Sequence, residues 1–88
     1  MMICIMVTST NIPDPKVLFG ESLRSLRTAA MLSQEELAHK ASVDRTYVSS
    51  CERGKRNVTL EVIVKFAGAL NVTPSILLSS IRANGVQS

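Results

Sequence analysis

Residues 45–53 read Arg-Thr-Tyr-Val-Ser-Ser-Cys-Glu-Arg, and their chemistry divides cleanly when they are wound into a helix. At about 100° per residue, Val48 and Cys51 fall on one side, flanked by Asp44, Tyr47 and Glu52. Arg45, Thr46, Ser49, Ser50 and Arg53 occupy the opposite arc. An ordinary solvated face favours Glu and Lys at i, i+4, which support the helix. Thr and Ser are poor interior helix residues, so local propensity has been given up here, as happens at functional surfaces. A guanidinium set among short hydroxyls suits the major groove of DNA. The hydroxyls let a helix sit deep, and Arg45 carries the fork that bonds guanine O6 and N7 together.

Groups suited to phosphate flank that arc. Gln34 opens another helical segment, where free backbone amides and the positive dipole end favour an anion. Arg53, Lys55, Arg56 and Asn57 follow the first arc and are placed to grip a nucleic-acid backbone, which sets position without reading sequence. Four of the ten basic residues (Arg45, Arg53, Lys55, Arg56) lie in this short stretch of a chain whose net charge is +3. That mild basic excess suits a polyanion.

Other chemistries find little material. The two cysteines, Cys4 and Cys51, form neither a metal-ligand spacing nor a disulfide framework, and His39 is the sole histidine. Reduced thiols, no metal and no cofactor are expected, with Cys51 a small core residue and His39 a surface one. No Ser/His/Asp or Cys/His set, carboxylate pair or phosphate loop can be assembled, so an enzyme is not expected. The opening run Met1–Val7 is too short for a membrane span and lacks the basic start of a signal peptide, which implies a cytoplasmic protein.

Five helices must position these groups. Asp14-Pro15 is an N-cap with proline at the first helical position, and Phe19, Leu23, Leu26 and Ala30 continue as a stripe over 15–30. Ser33 to Glu36 is a capping box for a short helix over 34–41. After a tight connection at Ser42-Val43, Asp44 caps the arc-bearing helix over 44–53, which Gly54 ends. Thr59 caps a fourth helix lined by Leu60, Ile63, Phe66, Ala67 and Leu70 and stopped by Asn71. Thr73-Pro74 opens a fifth over 74–82. With 88 residues and 45% hydrophobic content, one all-α domain over 13–82 is expected. Residues 1–12 are read as a flexible leader or as an arm that docks on a partner subunit or on DNA, and 83–88 as a frayed tail.

The stretch Leu32-Ser33-Gln34-Glu35-Glu36-Leu37-Ala38, then Arg45-Thr46-Tyr47-Val48-Ser49, then Glu52-Arg53-Gly54-Lys55-Arg56-Asn57, resembles the phage-repressor (XRE/Cro–C1) helix-turn-helix family. The likeness covers residues 15–81, and in its details it is nearest in appearance to restriction–modification controller proteins. It implies a compact five-helix lambda-repressor-like domain in which the second and third helices form the helix-turn-helix. It also implies a small homodimer that binds a pseudo-palindromic operator in double-stranded DNA, with RNA polymerase as a further candidate partner. Residue by residue, base contacts are implied for Arg45, Thr46, Ser49 and Ser50. Phosphate contacts are implied for Ser33, Gln34, Arg53, Lys55 and Asn57, with Tyr47 on the backbone or at the operator centre. Arg27 and Glu52 match a structural ion pair. The family often has glycine where this chain has Met31 and Ser42, so those turns need a left-handed backbone or another geometry.

A surplus of apolar residues near the C-terminus (Val62, Val64, Ile76, Leu77, Leu78, Ile81) marks the expected dimer surface. A second reading stays open: an antitoxin-like or adaptor module whose protein contacts matter more than its DNA binding.

Overall fold

The computed structural model describes residues 14–81; the expected leader or arm over 1–12 and the tail over 83–88 lie outside the described residues. Five helices follow one another: α1 (Pro15–Ala29), α2 (Gln34–Ala41), α3 (Arg45–Glu52), α4 (Leu60–Leu70) and α5 (Pro74–Leu77). No strand occurs among the described residues.

Three of the helix starts use side-chain caps. Asp14 accepts from the Lys16 amide, Thr59 from the Val62 amide, and Ser33 and Glu36 form the reciprocal capping box. Asp44 departs from expectation. It stands at the N-cap of α3 in extended geometry, but its carboxylate makes no capping bond. Its main-chain carbonyl instead accepts from the Tyr47 and Val48 amides.

The first four helices end with one device. At Met31, Ser42, Gly54 and Asn71 the backbone turns left-handed, with φ of 61°, 59°, 73° and 61°. In each case the amide of the next residue reaches back five positions and closes a six-residue turn: Leu32 to Arg27, Val43 to Ala38, Lys55 to Ser50 and Val72 to Ala67. This is the Schellman termination, which satisfies carbonyls the helix leaves open. Met31 and Ser42 therefore adopt the strained geometry that glycine would take without cost. Leu32, Val43 and Val72, the residues after three of these turns, lean on the core; Lys55, after α3, stands in solvent.

The core is one cluster. Phe19, Leu23, Leu37, Val48, Cys51, Ile63, Phe66 and Leu77 are its larger members, and Phe66 lies at its centre with no exposure. α3 packs between α1 and α2, α4 closes the far side of α2, and α5 bridges α4 and α1.

The fifth helix is shorter than the 74–82 expected: regular structure ends at Leu77 and continues as turn. The Ser79 hydroxyl donates to the Ile76 carbonyl, a local bond that competes with helix continuation. The one turn of helix buries Leu77 completely. Leu77 thus belongs to the core and is withdrawn from the expected dimer surface. Val64 and Ile76 are exposed, while Val62, Leu78 and Ile81 are half-buried against the core.

Candidate nucleic-acid interface

The inner side of α3 is fixed by packing and by one polar node. Val48 and Cys51 are buried, and burial pushes the Cys51 thiol up to about 11, so it stays protonated and unreactive near neutral pH. α1 approaches α3 so closely that a Cβ on Gly20 would sit 2.2 Å from the Cys51 carbonyl oxygen. Only glycine fits there. Nothing in the sequence marks Gly20, because a glycine inside a helical stripe carries no sign of which neighbour approaches it.

The polar node lies at the end of α3. Arg27 donates from Nε to Glu52 Oε2 at 2.6 Å and from Nη2 to Oε1 at 3.0 Å, a bidentate pair. Its Nη1 donates to the Leu32 carbonyl at 2.8 Å, in the turn between α1 and α2. Gln34 adds a third donor, Nε2 to Glu52 Oε1 at 3.0 Å. The Glu52 hydrogen bond raises the Arg27 guanidinium above its usual value, against the opposing effect of burial.

Two consequences follow for the outer surface. The Glu52 side chain is only 2% exposed, so the acid nearest the end of α3 is hidden and neutralised. The Gln34 carboxamide, expected at a phosphate, is also held from inside at the start of α2, an anchoring that the capping-box reading had no means to reveal. The carboxamide nitrogen carries a second hydrogen able to donate. Ser33 beside it is exposed but already accepts from the Glu36 amide as the cap.

On the outer side, Arg45 and Thr46 in the first turn of α3 are exposed, while Ser49 and Ser50 are half-buried one turn on. Among the described residues Arg45 has no carboxylate within ion-pairing distance. Arg53, at the C-cap, donates from Nη1 to the Ser49 hydroxyl, so two residues expected in different roles are linked. Lys55, Arg56 and Asn57 continue as an exposed irregular segment. The Arg56 guanidinium lies 4.6 Å from the centroid of the Tyr47 ring, which also tilts against Phe66. Ser42, Val43, Asp44, Thr46, Tyr47 and Arg56 line an open concavity of about 500 Å³ beside the start of α3.

Side-chain contacts thus join the start of α2 to the end of α3 through Gln34 and Glu52, Ser49 to Arg53, and Tyr47 to Arg56 in the segment after the helix. Among the described residues no group of three or more His, Cys, Asp or Glu side chains could hold a metal. No described helix is long and apolar enough to cross a membrane.

Comparison with known proteins agrees with this geometry. A family model described as helix-turn-helix matches residues 23–77. Control protein C.MunI of a Mycoplasma species is 46% identical over 70 residues, spanning 78% of this chain and 95% of that protein. Control protein C.BamHI of Bacillus amyloliquefaciens is 45% identical over 64 residues, or 72% of this chain and 79% of that protein. Among solved structures, the restriction-modification controller protein C.AhdI from Aeromonas hydrophila superposes with a TM-score of 0.70 and 53% identity. That match covers 70% of this chain and 94% of the other.

Proposed function

This chain belongs to the helix-turn-helix family, in its phage-repressor-like (XRE-type) form, and from that premise we propose that it is a restriction–modification controller. In this reading it regulates transcription as a homodimer on a pseudo-palindromic operator. The observation that carries the proposal is the outer arc of α3: its first turn offers Arg45 and Thr46 to solvent while the helix's own acid, Glu52, is turned inward and paired. Relatives named as control proteins, 45–46% identical over most of their length, support the choice of controller over other regulators of the same fold.

Arg45, Thr46, Ser49 and Ser50 read base edges. Ser33, Gln34, Arg53, Lys55, Arg56 and Asn57 hold the phosphates on either flank, and Tyr47 lies between the two sets. Two copies present their recognition helices to successive major grooves, about 34–36 Å apart. The exposed Val64 and Ile76, with the edges of Val62, Leu78 and Ile81, supply the dimer contact. Leu60, 78% exposed on the same helix as Val64, extends that apolar surface. A bound dimer then meets RNA polymerase on the promoter it occupies.

Footprinting on the DNA upstream of the gene, beside a random duplex at two salt concentrations, tests this. A protected site with two half-sites one helical turn apart, at nanomolar to micromolar protein, is expected. Absence of any specific protection overturns the reading and favours the protein-interaction alternative.

A further inference from the structure

Arg56 belongs to the irregular segment between α3 and α4, where nothing in the backbone fixes a long side chain. A free arginine side chain loses rotamer entropy when it is immobilised on a ligand. Here the guanidinium is already placed. It lies over the Tyr47 ring at 4.6 Å from the centroid. The ring is anchored in turn: Tyr47 is half-buried, tilted at 48° against Phe66, which has no exposure. The Tyr47 ring thus touches the core through Phe66 and carries Arg56 over it. Both residues border the concavity that Thr46 lines beside the base-reading arc, with Asp44 at its rim.

We propose that Tyr47 is a positioning residue that holds the Arg56 guanidinium ready for a DNA phosphate, so that the two act as one backbone clamp. This rests on the DNA-binding reading above and changes one part of it. Tyr47 contributes through Arg56 and not through a phosphate bond of its own hydroxyl. An aromatic ring therefore suffices, and the phenol hydroxyl is not required.

The test uses the full chain and a labelled duplex of mixed sequence, roughly 30 base pairs or nearly three turns long. A phosphate clamp acts on any sequence, so the operator is not needed. In the free protein, NMR should show the Arg56 side-chain protons shifted upfield by the ring, retained in Tyr47→Phe and lost in Tyr47→Leu. In binding titrations over about 50–200 mM salt, Tyr47→Phe should match the wild type. Tyr47→Leu should bind about two- to fivefold more weakly with an unchanged salt slope, because Arg56 is still charged and still reaches phosphate. Arg56→Ala should lower the slope by about 0.9, and adding Tyr47→Leu to it should cause no further loss.

The proposal is overturned if Tyr47→Phe loses as much as Tyr47→Leu, if the Tyr47→Leu factor persists without Arg56, or if the Arg56 signals are unshifted in the wild type. Should Tyr47→Leu not fold, Arg56→Lys replaces it: the charge stays and the planar stack goes, with the same two- to fivefold loss at constant slope expected. An equal affinity for Arg56→Lys overturns the proposal. If the wild type fails to bind any duplex while the NMR shifts are present, the DNA-binding reading has failed and the ring contact stands as a structural feature alone.

Discussion

The two sides of α3 obey opposite rules. On the inner side every group is matched within the chain: Val48 and Cys51 are buried, Gly20 admits the helix at a distance no Cβ permits, and Glu52 takes three donors from Arg27 and Gln34. On the outer side Arg45 and Thr46 project into solvent, and Lys55 beyond the helix end does likewise. The inner residues gain their free energy when the chain folds. The outer ones spend folding with their bonds unmade and are left for a ligand. A single eight-residue helix thus separates stability from recognition by face, and substitutions should separate the same way.

The largest effect belongs to Glu52→Ala. It leaves Arg27 charged in a buried site with its bidentate partner gone and frees Gln34. Breaking such a pair from one side costs about 3–5 kcal/mol, a large part of the stability of a domain this small. Denaturant unfolding measures it, and a loss below about 1 kcal/mol would show that the node is not what holds α3 to α1. Next comes Gly20→Ala. A methyl group 2.2 Å from the Cys51 carbonyl forces the two helices apart, with an expected cost of about 1–3 kcal/mol. The same chemical change at Gly68, where an added Cβ meets nothing within 4 Å, should instead be neutral or stabilising.

Arg45→Ala tests the outer side. Stability should stay within about 0.5 kcal/mol, since the side chain is exposed and unpaired. Binding to the specific operator should weaken by about 1–3 kcal/mol, with little change on random DNA. Equal losses on both DNAs would make Arg45 a phosphate contact and move base reading to the hydroxyls. A loss of stability would erase the division between the faces.

Much of this arrangement was legible in the sequence, and the parts that were not have identifiable causes. The caps at Asp14, Ser33 and Thr59 and the stop at Gly54 are local signals, decided within a few residues, and the helices begin and end where those signals place them. The two faces of α3 follow from helical periodicity alone. The inward place of Leu77 is not legible in the sequence because Ile76, Leu77 and Leu78 are adjacent and the helix has a single turn, too little for periodicity to choose the inward residue. The Gln34–Glu52 bond, the stack of Arg56 on Tyr47 and the crowding at Gly20 join residues distant in sequence. No local pattern encodes them; they appear only once the helices are packed.

The smallest predicted effect compares two turns of the same design. α2 ends on Ser42 and α3 on Gly54, both left-handed and both closed by the six-residue return bond. After Ser42 comes Val43, which docks on the core; after Gly54 comes Lys55, which faces the expected phosphates. A left-handed non-glycine residue costs about 1–2 kcal/mol, and glycine returns part of that gain through the entropy of the unfolded chain. Ser42→Gly should therefore stabilise the protein by about 0.5–1 kcal/mol, seen as a higher denaturant midpoint at an unchanged slope. Operator affinity should not move. At Gly54 the exchange runs the other way and carries a second cost, because a Cβ there would lie 2.8 Å from the Val17 Cγ2 atom. Gly54→Ser should thus lose more than Ser42→Gly gains. Equal and opposite shifts would mean that backbone conformation alone decides both turns and that the approach of α1 to the end of α3 contributes nothing.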